Sequence, residues 1–157
     1  MDEIFGLPTH VLVVHGAVVL TPLAVLSTIV FAIFPKWRYL SRWPSVLLAL
    51  AATGSVWVAR LTGNSLQEER KLPQSLIDTH ESRGAWLALI MIAFLLLTLL
   101  GAWVLSGPSG LVSGKGAVAR GAAWAEPVVP AALVVVSIVA LVWVVLTGDA
   151  GARAVWG

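Results

Sequence analysis

The chain has no cysteine. That excludes disulfides, thiolate metal sites, c-type haem attachment and a cysteine nucleophile, while leaving room for haem held by histidine alone. Charge is also scarce: 11% of residues are Asp, Glu, Lys or Arg, against about 25% in soluble domains. The basic residues are scattered and the net charge is only +2, so there is no dense basic face for nucleic acid. No phosphate loop, nucleophile elbow or dinucleotide fingerprint is present. His80-Glu81-Ser82-Arg83 lacks the second histidine that a zinc helix needs four residues on. Nothing therefore specifies an enzyme.

Apolar residues dominate instead. They make up 59% of the 157 residues, and mean hydropathy is +0.92. The excess fits a chain whose outer surface faces lipid. Four segments are long enough to span, at about 8–34, 43–63, 84–107 and 127–148. Each is near the roughly 20 residues that cross a bilayer, and backbone in lipid must satisfy itself as helix. The expectation is an all-α membrane protein, a single four-transmembrane-helix bundle over 1–157. Pro22 predicts a mild bend in the first helix, and Pro35 its end. Asp2 and Glu3 stand where a signal peptide carries positive charge, so the first segment is expected to persist. Gly107-Pro108-Ser109-Gly110 reads as a turn.

Loop charge sets orientation. Lys36, Arg38, Arg42, Lys115 and Arg120 lie on one side, and Arg60, Arg70, Lys71, Arg83 and Arg153 on the other. The count ties. The dense cluster of the first loop decides for both termini outside. Trp37, Trp43, Trp103 and Trp124 are expected at one interface, and Trp57, Trp86, Trp143 and Trp156 at the other.

A weak repeat joins Leu61-Thr62-Gly63 to Leu146-Thr147-Gly148, each after a tryptophan. Glycine is a common residue just past a helix end, so chance explains it slightly better. The alternative is two related helical hairpins about an axis along the membrane normal.

His10, His15, Arg60, His80, Asp149 and Arg153 all fall toward the end of the bundle that carries the termini. His10 and His15 lie about 140° apart around a helix, so both cannot face the axis. His15 is deeper and beside Gly16; His10 is expected to be a solvated residue. Leu72, Leu76, His80 and Gly84 share one helical face if Pro73 begins the helix, which favours an inward His80. Ionisable groups inside spans are costly and tend to be functional.

The opening Phe5-Gly6-Leu7-Pro8-Thr9-His10-Val11-Leu12-Val13-Val14-His15, the pair His80 and Gly84, and the tail Thr147-Gly148-Asp149-Ala150-Gly151-Ala152-Arg153-Ala154-Val155-Trp156 carry a resemblance. They are similar to a bacterial membrane family, domain of unknown function 2231, over nearly the whole chain. The resemblance implies four membrane helices, in the bacterial inner membrane, with histidines near one end of the bundle: His10, His15 and His80. The family's further histidine, in its closing motif, is Asp149 in this chain. Some relatives are joined to Rieske or cytochrome domains, which implies electron transfer.

Three readings follow. In the first, His15 and His80 are axial ligands of a b-type haem between the first and third helices, with Arg60 pairing a propionate. In the second, His10, His15, His80 and Asp149, with Asp78 or Glu81, bind a metal ion. In the third, the chain is a cofactor-free assembly subunit whose histidines bond between helices and whose small residues Gly54, Gly101 and Ala131 pack on partner helices. The expected partners are the lipid bilayer and a homodimer or redox-complex subunit.

Overall fold

A computed structural model describes residues 3–4, 7–70, 74–105 and 123–156. Two short strands open it, β1 (Glu3–Ile4) and β2 (Leu7–Pro8), paired antiparallel with Ile4 opposite Leu7. Four helices follow: α1 (Thr9–Ile33), α2 (Arg38–Arg70), α3 (Gln74–Val104) and α4 (Ala125–Trp156). All four are long and apolar enough to cross a membrane. A single 3-10 turn, Pro35–Trp37, separates α1 from α2. Proline without an amide proton stops α1 where expected.

The helices outrun their expected spans. α2 starts in the basic loop, at Arg38, and continues through Gly63 to Arg70. α4 continues through Gly148 to Trp156. Gly63 and Gly148 therefore interrupt nothing. The turn at 107–110, Lys115, Arg120 and the proposed helix start at Pro73 lie outside the described residues.

α1 packs chiefly on α2 and α3 on α4, while α2–α3 and α1–α4 seams close a four-membered ring. Small residues are prominent in the core: Ala24, Ala49, Ala52, Ala88 and Ala140 are almost wholly buried, beside the larger Phe31, Met91, Phe94 and Leu133. Large side chains such as Leu26, Leu47, Leu96 and Val145 point outward. Lipid is as apolar as leucine, so close approach of backbones drives association in a membrane. Trp37, Trp43, Trp103 and Trp124 are exposed at one end and Trp86 at the other. Trp57 and Trp143 pack partly against the core.

Burial repeats between the two hairpins. Ala17, Thr21, Ala24, Thr28 and Phe31 on α1 match Leu87, Met91, Phe94, Thr98 and Gly101 on α3, all buried. Ser41, Ser45, Ala49, Ala52, Val56 and Ala59 on α2 match Val129, Leu133, Ser137, Ala140, Val144 and Thr147 on α4. With the ring order, this relates the hairpins by an approximate two-fold along the bundle. The register differs from the sequence repeat: Ala59 to Gly63 corresponds to Thr147 to Gly151.

The end away from the termini is clamped. Arg38 is 2% exposed. It donates to Glu126 at 2.9 Å and to the carbonyl oxygens of Phe31 and Ala32. Those carbonyls close α1, where helical acceptors lack amide partners. Arg42 does the same for α3, donating to the Leu105 carbonyl at 2.9 Å.

Candidate functional site

His10 sits in the first turn of α1. Its Nδ1–H donates to the Ala59 carbonyl on α2 at 2.9 Å and approaches Thr62 Oγ1 at 3.3 Å. Thr62 donates its own proton to the carbonyls of Val58 and Ala59, so its oxygen is left to accept. His80, in the second turn of α3, repeats the arrangement: Nδ1–H donates to the Thr147 carbonyl on α4 at 3.0 Å. A neutral imidazole that donates through Nδ1 keeps a lone pair on Nε2.

Glycines make room for both rings. A Cβ at Gly63 would lie 3.1 Å from His10 Cε1, and one at Gly151 would lie 2.9 Å from His80 Cε1. α2 and α4 therefore stay helical past the histidines with no side chain where the rings lie. The two rings face each other across the two-fold, centroids 6.4 Å apart and planes at 82°.

Between them a cavity of about 160 Å³ runs into the bundle. Ala17, Val56, Leu87 and Val144 form its floor, and Arg60, Asn64, Gln67 and Glu81 stand at its mouth. Gly84 and Gly148 line it too, with open space where a Cβ would be. The Arg60 guanidinium also lies over Trp57, 5.8 Å from the ring centre.

The inward histidine of α1 is therefore His10, not His15. The His15 ring is exposed and donates through Nδ1 to the carbonyl of Val11, one turn back on its own helix, at 2.6 Å. Five residues turn a helix by about 140°, so turning His10 to the axis turns His15 away. Nothing comes within 4 Å of a Cβ at Gly16. Asp149 also stands apart, exposed and paired with Arg153 at 3.0 Å. Among the described residues no three His, Asp or Glu side chains are placed to share a metal ion. The mixed site of His10, His15, His80 and Asp149 is not assembled. Asp78 is exposed, and Glu81 reaches only the cavity mouth.

Sequence reasoning passed over Gly63, Gly151 and the carbonyls of Ala59 and Thr147. A signal was present: Thr9-His10 and Thr79-His80 repeat one dipeptide at the start of each hairpin.

The model of the family described as predicted membrane protein (DUF2231) matches residues 6–157. The chain belongs to this family. No curated protein and no solved structure matches it.

Proposed function

We propose that His10 and His80 are the axial ligands of a b-type haem between α1 and α3, and that the chain is an electron-transfer subunit of the bacterial inner membrane. The observation that carries this is the paired, symmetric imidazoles. Each is held through Nδ1 by a backbone carbonyl, the orientation that fixes a metal-binding histidine and leaves Nε2 to ligate. The ring centres of His10 and His80 are 6.4 Å apart, and their Nε2 atoms would hold the iron.

The surroundings fit such a group. The cavity of about 160 Å³ would take only a benzene-sized part of the group. The rest of a macrocycle would lie in the open mouth, beside bare Gly84 and Gly148. Arg60 at that mouth is placed to pair with a propionate. A bound haem would supply one-electron exchange; the protein would supply the two histidines and an apolar surround. The dense basic cluster of the first loop supports termini, and with them this site, on the non-cytoplasmic side. The exchange partner would be a redox-complex subunit or a second copy of the chain.

The test is an absorption spectrum of detergent-purified protein from haem-replete cells, oxidised and then dithionite-reduced. A Soret band with sharp reduced α and β bands is expected, lost in His10→Ala and His80→Ala and kept in His15→Ala. A colourless protein overturns the reading.

One observation favours a second reading. Both Nδ1 bonds link neighbouring helices, so the histidines also act as interhelical ties in a cofactor-free assembly subunit. In that case His10→Gln and His80→Gln, which restore a donor, keep full stability, and no variant alters a visible spectrum.

A further inference from the structure

Thr21 Oγ1 and Ser137 Oγ are wholly buried and have no hydrogen-bond partner among the described residues. Thr21 lies at the middle of α1, and Ser137 near the middle of the span Ala125–Ala154. The contacts between helices fix their relative height. Ser27 bonds Ser45 between α1 and α2, Thr53 bonds the Met91 carbonyl between α2 and α3, and Gly101 meets Leu133 between α3 and α4. These links bring Thr21 and Ser137 to within about one helical turn of the same level. Their positions on the helix wheels direct both toward the α1–α4 seam.

The two-fold supplies an internal control. At the related α2–α3 seam the equivalents of Thr21 and Ser137 are Met91 and Ala49, both apolar and wholly buried. Where that seam has a long methionine and an alanine, the α1–α4 seam has a shorter threonine and a serine, with two hydroxyls that need partners. Pro22 adds a third group, because a proline has no amide proton to give the Val18 carbonyl. Val18 and Ala17 line the histidine cavity, and Thr21 is the next turn down from Ala17. A water in a polar site makes about three hydrogen bonds, and that number of groups is present.

We propose that water enters through the histidine cavity and follows the α1–α4 seam to Thr21 and Ser137, giving one face of the membrane aqueous, and so proton, access to the bundle centre. Phe31 and Leu133, both wholly buried and side by side at Gly101, lie beyond that level. The path is that of the protein with nothing bound in the cavity, since a group that fills the cavity closes its entry.

The chain's lack of cysteine makes the test clean. Thr21→Cys, Ser137→Cys and, as the matched control, Ala49→Cys are reconstituted in vesicles and exposed to silver ions, which travel where water does. Thiols left unblocked are then counted with a maleimide after unfolding. The expected result is loss of maleimide labelling at 21 and 137 and its retention at 49. Retention at all three, or equal loss at all three, overturns the proposal. Thr21→Val gives a second readout. Tm stays level or falls if water satisfies the hydroxyl, and a rise in Tm, the sign of a dry orphan relieved, overturns the proposal.

Discussion

At one end of the two-fold Arg38 faces Glu126; at the other, His10 faces His80. Both pairs occupy equivalent positions on related helices, yet they are built in opposite ways. The Arg38 end is filled: its guanidinium reaches a carboxylate and two helix-end carbonyls. The histidine end is hollow: each ring is tied by one nitrogen, its neighbours are glycine and alanine, and a cavity opens between the rings. A bundle that needed only to hold together would close both ends. One end fixes the helices, and the other gives up packing to keep two imidazoles apart and accessible.

The largest expected effect lies at the hollow end. On the proposed reading His10→Ala or His80→Ala should abolish the haem Soret band, while the thermal stability of the haem-free protein changes little. Spectra of the loaded protein and melting curves of the haem-free protein check this, because a bound group would itself stabilise the fold. A large loss of stability in the haem-free variants would show that the rings act as struts, and the contrast between the ends would fail.

The filled end should respond the other way. Glu126→Ala strands a buried guanidinium, a change that costs up to about 3–5 kcal/mol for a fully buried pair. The Glu126 side chain is 37% exposed, so about 2 kcal/mol is the better expectation. The loss is readable as a lower midpoint in SDS unfolding, and on the proposed reading the haem spectrum of the protein that remains folded is unchanged.

The glycines sharpen the comparison further. Gly151→Ala puts a methyl 2.9 Å from the His80 ring, and Gly63→Ala puts one 3.1 Å from His10. Each ring must tilt, and overpacking of this kind costs about 1–3 kcal/mol, which on the proposed reading is about five- to 150-fold in haem affinity. Gly151→Ala should be the worse of the two. Haem titration of the apo-protein measures both.

Much of this was legible in the sequence. Four apolar runs, Pro35 as a stop and an inward His80 followed from length, proline chemistry and four-residue spacing. The choice between His10 and His15 was not legible, for a physical reason. Spacing gives the angle between two residues on a helix but not which of them faces the core. In a soluble helix the polar face settles that. Here Val11, Leu12, Val13 and Val14 surround the histidines with apolar residues on every side, because lipid and core accept the same side chains. Gly63 and Gly148 misled in a related way. Glycine after an apolar run reads as a helix end, whereas Gly63 serves to clear space for a ring supplied by another helix, a contact no local pattern encodes.

The smallest effects test whether the site ends where the geometry ends it. Asp149 stands where the family resemblance implies a further histidine, and a reading from motifs alone gives it a ligand's role. Its carboxylate instead bonds Arg153 one turn along the same exposed helix face. Pairs of this kind contribute about 0.3–0.5 kcal/mol. Asp149→Ala should therefore shift the unfolding midpoint barely, and leave the Soret band and reduction potential alone. His15→Ala should do less still, since its ring bonds only its own helix and faces outward. A clear change in potential from either variant would place that side chain against the cofactor. It would also move the site off the two-fold axis that His10 and His80 define.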